Sequence, residues 1–446
     1  MTALPNRRAP PATALISAAV VGVILVDEID NVDSTLLLRG LAGILLISLL
    51  VAVRRWLATP NGRLAFGLAA ATAIAGATFH VPVWTIFDGA AAMIPAAVLL
   101  ITTSLVRPAF TSCGLDRYLA ATITRVPAKL RSCGVDTFAT VTGLAAGFGS
   151  IAMLGSALGN RAAPSSAAAN ASMRGLSMSM LLGPSIASVA VIRTTLPPIP
   201  WVTSIVTALP LVAASLAFNA MLTPTIQVRA DTKAGRRLPS HLLAVVMLAG
   251  VPVLAIAGSS LGMLGATESI TVACLVTGLA LSYLHSRRGT TAVLDRHICE
   301  GWRRSQPEIA LFIASGAITS LLRDPTIATL LQPVAALVPN GPLGVVWLVV
   351  IVPALCVVGL HPMPLFAMLA PLVPAQHLGL NGVGLYQIWI VTVGIGLLLS
   401  PASILNSVTS SAFGLEPSQV GMRRNLVYAV LIAVFAVIVV PAINPA

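Results

Sequence analysis

The sequence predicts an all-α polytopic membrane protein of about 11 transmembrane helices plus two re-entrant hairpins in an inverted-topology repeat. Three observations carry that expectation. The chain is 57% hydrophobic and only 9% charged, with a mean hydropathy of +0.94, whereas soluble domains are about a quarter charged. Two apolar runs, 181–201 and 394–416, are each interrupted by a proline, Pro184 and Pro401, and then turn rich in hydroxyls. The basic residues are scattered between apolar runs and form no domain of their own, which excludes nucleic-acid binding as the source of the +12 net charge.

Taken in order, residues 1–34 form an N-terminal extra helix. Its apolar core, 12–26, follows Arg7 and Arg8 and is followed by Asp27, Glu28 and Ile29. No small-x-small cleavage site ends it, so it reads as a retained span. Repeat 1 covers 35–222, with spans at 35–53, 64–81, 89–106, 173–192 and 201–222 and a hairpin at 135–160. A cytoplasmic linker, 223–240, is rich in Thr, Pro and charge. Repeat 2 covers 241–446, with spans at 241–261, 267–284, 307–322, 385–410 and 425–443 and a hairpin at 342–375. Each hairpin has Gly or Pro near its middle, Gly147-Phe148-Gly149 and Pro362-Met363-Pro364.

Charge decides between hairpins and full crossings. With a cytoplasmic N-terminus and two returning hairpins, all of the 26 Lys and Arg except Arg39, Arg193 and Arg323 fall inside. Asp27, Glu28, Asp30 and Asp33 then lie outside. Full crossings would put 229–237 and 287–304 outside, against the positive-inside rule. The C-terminus is therefore expected in the periplasm of a bacterial inner membrane. Pro184 and Pro401 lie 217 positions apart, and 151–158 and 366–373 share Ala-Met-Leu at a shift of 215. The first arm and hairpin start from the cytoplasm and the second pair from outside, which makes the repeat inverted. In the arm 110–133, Leu115, Leu119 and Ile123 share one face, as in an interfacial helix lying along the cytoplasmic surface. Residues 323–339 take the matching place outside.

The five cysteines have no CxxC spacing and give neither a disulfide framework nor a metal signature. No Walker lysine motif is present, so the chain does not itself hydrolyse ATP.

This arrangement resembles the ion transporter superfamily of secondary transporters, which includes divalent anion/sodium symporters, arsenite permeases and the large membrane subunits of tripartite periplasmic transporters. The likeness is strongest at GLHPMPLFAMLAPLVP (359–374) and LLLSPASILNSVTSSAFG (397–414). The resemblance implies a small anionic solute, an elevator-type displacement, a homodimer in the lipid bilayer and coupling to Na+ or H+. By position it implies a substrate site of Gly149, Ser150, Gly183, Pro184, Ser185, Ser188, His361, Pro362, Ser400, Pro401, Ser403 and Asn406. Candidates for a coupling ion are Ser407, Thr409, Gly147 and Gly359; no cofactor or structural metal is expected. Dicarboxylate symporters of the group carry Ser-Asn-Thr at the tips, where this chain has GFGSIA and GLHPMP.

The residues themselves are compatible with that chemistry. An anion entering the membrane needs donors, and the N-termini of half-helices supply backbone N–H groups and a partial positive charge. Pro184 and Pro401 are expected to begin such half-helices, with Ser185, Ser188, Ser403 and Asn406 adding side-chain donors. The plainer alternative is that these hydroxyls bond back to helix carbonyls and relieve the proline kinks. His361 is either a proton or substrate partner or a cap for its loop. Arg193 is expected to snorkel to the outer interface, with a substrate carboxylate as its alternative partner. Asp136 is expected to cap the first hairpin. No Asp or Glu falls inside either broken span, so a carboxylate proton relay is not expected, while sodium held by carbonyls and hydroxyls stays open. A cation/proton antiporter, an arsenite-type efflux permease, a channel and an intramembrane hydrolase using Ser150 and His361 are the competing readings.

Overall fold

In the computed structural model, the described residues are 35–159, 162–183, 186–197, 199–228, 241–260, 266–285, 290–401 and 403–446. The expected first span at 12–26 and residues 229–240 of the linker lie outside them. The chain is an all-α polytopic membrane protein. Among the described residues, five helices are long and apolar enough to cross a membrane: Val83–Ser112, Trp201–Leu222, His241–Ser259, Gly382–Leu399 and Pro417–Ile443. The outward faces carry bare aliphatic side chains, such as Val202, Val206 and Leu209 on one helix and Val430, Val434 and Ile438 on another. Exposed apolar rows of this kind suit a hydrocarbon solvent and not water.

The elements run Thr35–Val51, Pro60–Thr78, Val83–Ala91, Ile94–Ser112 and a short arm, Leu115–Arg125. Hairpin 1 follows (Arg131–Ala146 and Gly149–Leu158), then broken helix 1 (Ser165–Leu182 and Ala187–Thr195), then Trp201–Leu222. Next come His241–Ser260, Ala266–His285, Thr290–Leu322 and a second short arm at Pro325–Leu330. Hairpin 2 (Pro342–Val357 and Pro362–Leu369), broken helix 2 (Gly382–Leu399 and Ile404–Phe413) and Met422–Ile443 complete the chain. A two-residue ribbon pairs Ala162 with Val228 and Ala163 with Gln227, antiparallel, and ties the start of broken helix 1 to the linker.

Local sequence explains the ends. Thr59 accepts the Gly62 N–H at 3.1 Å and Pro60 occupies the first turn, so Pro60–Thr78 starts with a cap and a preset φ. Three expectations shift. Broken helix 1 starts at Ser165 and not 173, because a helix enclosed by protein needs small residues for close approach and no apolar outer face. Arg174, placed by charge bookkeeping at the cytoplasmic end of a span, therefore lies mid-helix and 3% exposed. Asp136 lies inside the first helix of hairpin 1, fully buried, while Leu130 holds the cap position. The first arm keeps its amphipathic pattern, but Leu115, Leu119 and Ile123 are buried within the protein core and not laid on a membrane surface.

Two packing groups emerge. The frame group is Pro60–Thr78, Val83–Ser112, His241–Ser260, Ala266–His285 and Thr290–Leu322, which pack mainly on one another. The inner group contains both hairpins, both broken helices, Trp201–Leu222 and Met422–Ile443. The frame closes through paired glycines: a Cβ at Gly316 would sit 2.2 Å from the Gly89 carbonyl oxygen, and one at Gly89 would sit 2.4 Å from that of Gly316. Only two bare backbones can cross so closely. Along the seam between the groups, the Thr319 hydroxyl donates to the Ala367 carbonyl at 3.2 Å and Arg323 donates to the Thr195 carbonyl at 2.6 Å.

Gly316→Leu is therefore expected to destabilise the folded protein by at least about 1–3 kcal/mol through overpacking. Gly67→Leu, a position with open space around it, should unfold at the wild-type temperature in the same detergent.

Candidate functional site

The break in helix 2 is built by four residues. Ser400 is extended (φ −70, ψ 125), the conformation a following proline imposes, so the helix stops at Leu399. It restarts at Ile404, where the Ser403 side chain accepts the Asn406 N–H at 3.2 Å. Asn406 Nδ2 reaches back to the Ser400 carbonyl at 2.6 Å and closes the gap. Pro401 thus lies inside the break and is exposed; Ser403, and not the proline, starts the half-helix. The reason is chemical: a serine can satisfy an orphan amide and proline cannot.

The hydroxyls beyond the break serve the helix. Ser407 donates to the Ile404 carbonyl (3.1 Å), Thr409 to that of Leu405 (2.7 Å) and Ser410 to that of Ser407 (3.1 Å). The plainer reading holds for these three. Two atoms differ: Asn406 Oδ1 and Ser150 Oγ are buried without any hydrogen-bond partner, a state that costs about 1–3 kcal/mol per group unless something else answers it.

Hairpin 2 meets this break at its tip. The Ser400 hydroxyl donates to the Leu360 carbonyl at 3.3 Å, and Gly396 leaves room for Pro362, whose Cβ a side chain there would approach to 2.9 Å. His361 Nδ1 accepts the Met363 N–H at 3.2 Å and caps Pro362–Leu369. That bond fixes the neutral tautomer with its proton on Nε2. Gly359, at φ +104, makes the turn, and at the other tip Gly147 (φ 50, ψ −131) does the same; both are turn-makers by conformation.

Break 1 is joined to hairpin 1 in the corresponding way. Gly183 faces Leu144 and Trp201, and Trp201 Nε1 donates to the Leu182 carbonyl at 3.1 Å. The helix resumes at Ala187, and Ser188 is buried; Pro184 and Ser185 lie outside the described residues. The two halves then interlock. Gly149–Leu158 packs on Ile404–Phe413, with Gly155 against the Ala412 backbone, and Pro362–Leu369 touches Ala187–Thr195. The unbroken parts of the two helices meet where Gly394 approaches Ser177. The hairpins and the broken helices of the two halves thus pack against one another. Gly149 stands against the Arg107 stem, 3.2 Å from a would-be Cβ.

Arg193 does not snorkel. It donates to the Ile199 carbonyl at 2.8 Å and lies 5.6 Å above the ring of buried Tyr386, with Nη1 unpartnered. An aromatic face inside the protein competes with the interface for a guanidinium. Ser150 Oγ has no hydrogen-bond partner, so no Ser150–His361 dyad is formed.

The sequence reading missed a buried network around Arg174. Its Nε donates to Asn425 Oδ1, Nη1 to Asn219 Oδ1 and Thr223 Oγ1 (each 2.9 Å), and Nη2 to the Arg424 carbonyl at 2.7 Å. The one local signal was the string of Ser, Ala and Asn running through Arg174 at 165–179, the composition of a closely packed helix.

No protein-family model and no curated protein matches the chain. Among solved structures, the Alcanivorax borkumensis YdaH transporter superposes on it with a TM-score of 0.54, covering 85% of this chain and 96% of that one at 12% identity. The two chains share a fold. This likeness is one of overall architecture and carries no residue of the site with it.

Ser403→Ala is expected to cost about 0.5–2 kcal/mol of stability, the usual loss on removing a cap. Ser403→Asn should recover most of it, as read by thermal unfolding in detergent.

Proposed function

We propose that the chain is a secondary active transporter of a small, carboxylate-like anion, binding it where the two hairpin tips meet the two helix breaks. The observation that carries the reading is the interruption between Leu399 and Ile404, with two buried polar atoms that have no hydrogen-bond partner, Asn406 Oδ1 just beyond it and Ser150 Oγ just beyond the tip of hairpin 1. Helices ending inside an apolar interior present amide N–H groups to an anion, and the Ser150 hydroxyl and His361 Nε2 add neutral donors. Asn406 Oδ1 is an acceptor, suited to a coupling ion or to a donor on the solute.

The recurrence of one element order in the two halves, together with the charge pattern, supports an inverted repeat in the bacterial inner membrane. The separate packing of the inner group supports an elevator-type displacement of that group against the frame. A homodimer with coupling to Na+ or H+ completes the proposal.

A thermal-shift screen of the purified protein against mono-, di- and tricarboxylates, arsenite and sulfonates, with and without sodium, tests it. Stabilisation by one anion class is expected, and Ser150→Ala should weaken that binding by roughly tenfold or more, the value of a hydrogen bond to a charged group. Stabilisation by cations alone would replace this reading with a cation/proton antiporter. Uptake into liposomes that neither saturates nor follows a gradient would replace it with a channel.

A further inference from the structure

Asp136 is a buried acid that the proposed solute site does not use. It is fully buried in the first helix of hairpin 1, and neither carboxyl oxygen has a hydrogen-bond partner. The side chains of Thr140 and Asn219 stand beside the carboxyl, each with a second partner. Thr140 Oγ1 is held between the main-chain carbonyls of Asp136 and Gly175 (3.0 Å each), and Asn219 Nδ2 donates to the Ser132 carbonyl at 3.3 Å. The opposing helix offers only a glycine: a Cβ at Gly175 would stand 2.7 Å from Asp136 Oδ1. Arg174 is close, yet its guanidinium spends its donors on Asn425, Asn219, Thr223 and the Arg424 carbonyl and stacks 4.9 Å above Tyr428.

Burial disfavours the ionised carboxyl in such surroundings, whereas the neutral acid is tolerated. The nearby guanidinium pulls the other way, toward the ionised acid. Two opposed influences on one buried group are what an exchangeable proton requires, and ionisable groups inside membrane proteins mark such sites.

We infer that Asp136 is a proton-binding site of this protein and, resting on the transporter reading above, the group through which transport is coupled to a proton gradient. The step is simple: the carboxylate takes one proton from water on the side to which the inner group is open and returns it to water on the other. With Asp136 ionised, its charge offsets that of Arg174. With Asp136 protonated, the charge of Arg174 is no longer offset by its neighbour, so taking up one proton suits the inner group to carry one negative charge. The titratable or charged groups facing Asp136 are Arg174 from broken helix 1, Tyr428 from Met422–Ile443 and Cys133 from its own helix. Trp201–Leu222 contributes the neutral Asn219, and among the described residues the frame helices contribute no charged group facing it.

Infrared difference spectroscopy of the full-length protein in lipid, titrated with pH, reads the proton directly and needs no solute. The wild type should show a protonated-carboxyl stretch that disappears as pH rises across the physiological range. Asp136→Asn should lose it, Asp136→Glu should keep it displaced, and Glu308→Gln, which alters another acid with a buried, unpartnered oxygen, should leave it in place. A band that survives in Asp136→Asn overturns the assignment. So does a wild-type spectrum with no titrating band, which would make Asp136 a fixed partner of Arg174. The titrating wild-type band stands whether or not the variants fold. A titrating Asp136 in a protein that moves no anion in the uptake assay would retain the proton site and remove the transporter reading, so the two failures are distinct.

Discussion

The structure depends on the demand that every backbone group freed inside an apolar interior find a partner within the protein. A helix stops at Leu399 and restarts at Ile404, and side chains of the protein answer the groups freed there. The local solution uses Ser403 and Asn406 for the amide and the carbonyl. It is completed by a bond from Ser400 to Leu360, which seats the tip of hairpin 2 on the break. A broken helix thus needs a hairpin beside it, and the pairing of tips with breaks follows from hydrogen-bond satisfaction. Asn406 Oδ1 and Ser150 Oγ are left without a hydrogen-bond partner, and the proposed solute site is built on them.

Close approach at glycines makes the assembly dense enough for this to work. Gly396 admits Pro362, Gly155 admits the Ala412 backbone and Gly421 admits the Asn406 amide. Van der Waals contact at bare backbone replaces the hydrophobic effect, which lipid does not supply between helices. The same device holds the frame at Gly89 and Gly316. Between the groups the contacts are fewer than within the frame and include hydrogen bonds from Thr319 to Ala367, Arg323 to Thr195 and Cys274 to Ala145. A seam of that kind can slide while the bodies on either side stay intact.

Much of the fold was legible in the sequence because hydropathy and proline are local signals. Trp201–Leu222 has the predicted bounds, and the second break was visible from Ser400-Pro401 and the hydroxyls after it. The role of those hydroxyls was not legible. Ser407, Thr409 and Ser410 bond back to their own helix, and nothing in composition separates such serines from ones that face a solute. The Arg174 network was hidden for a different reason. Its partner Asn425 is 251 residues away, and charge counting treats any arginine near a predicted end as cytoplasmic. Asp136 looked like a cap because it stood at the estimated start of a helix that begins five residues earlier.

The proposed transport requires the hairpins and broken helices to move as a body against the frame. Locking the seam tests it most directly. With Thr319→Cys and Ala367→Cys oxidised to a disulfide, exchange in liposomes of the anion found by thermal shift should stop, and reduction should restore it. Exchange that continues at the wild-type rate with the disulfide formed would contradict the claim.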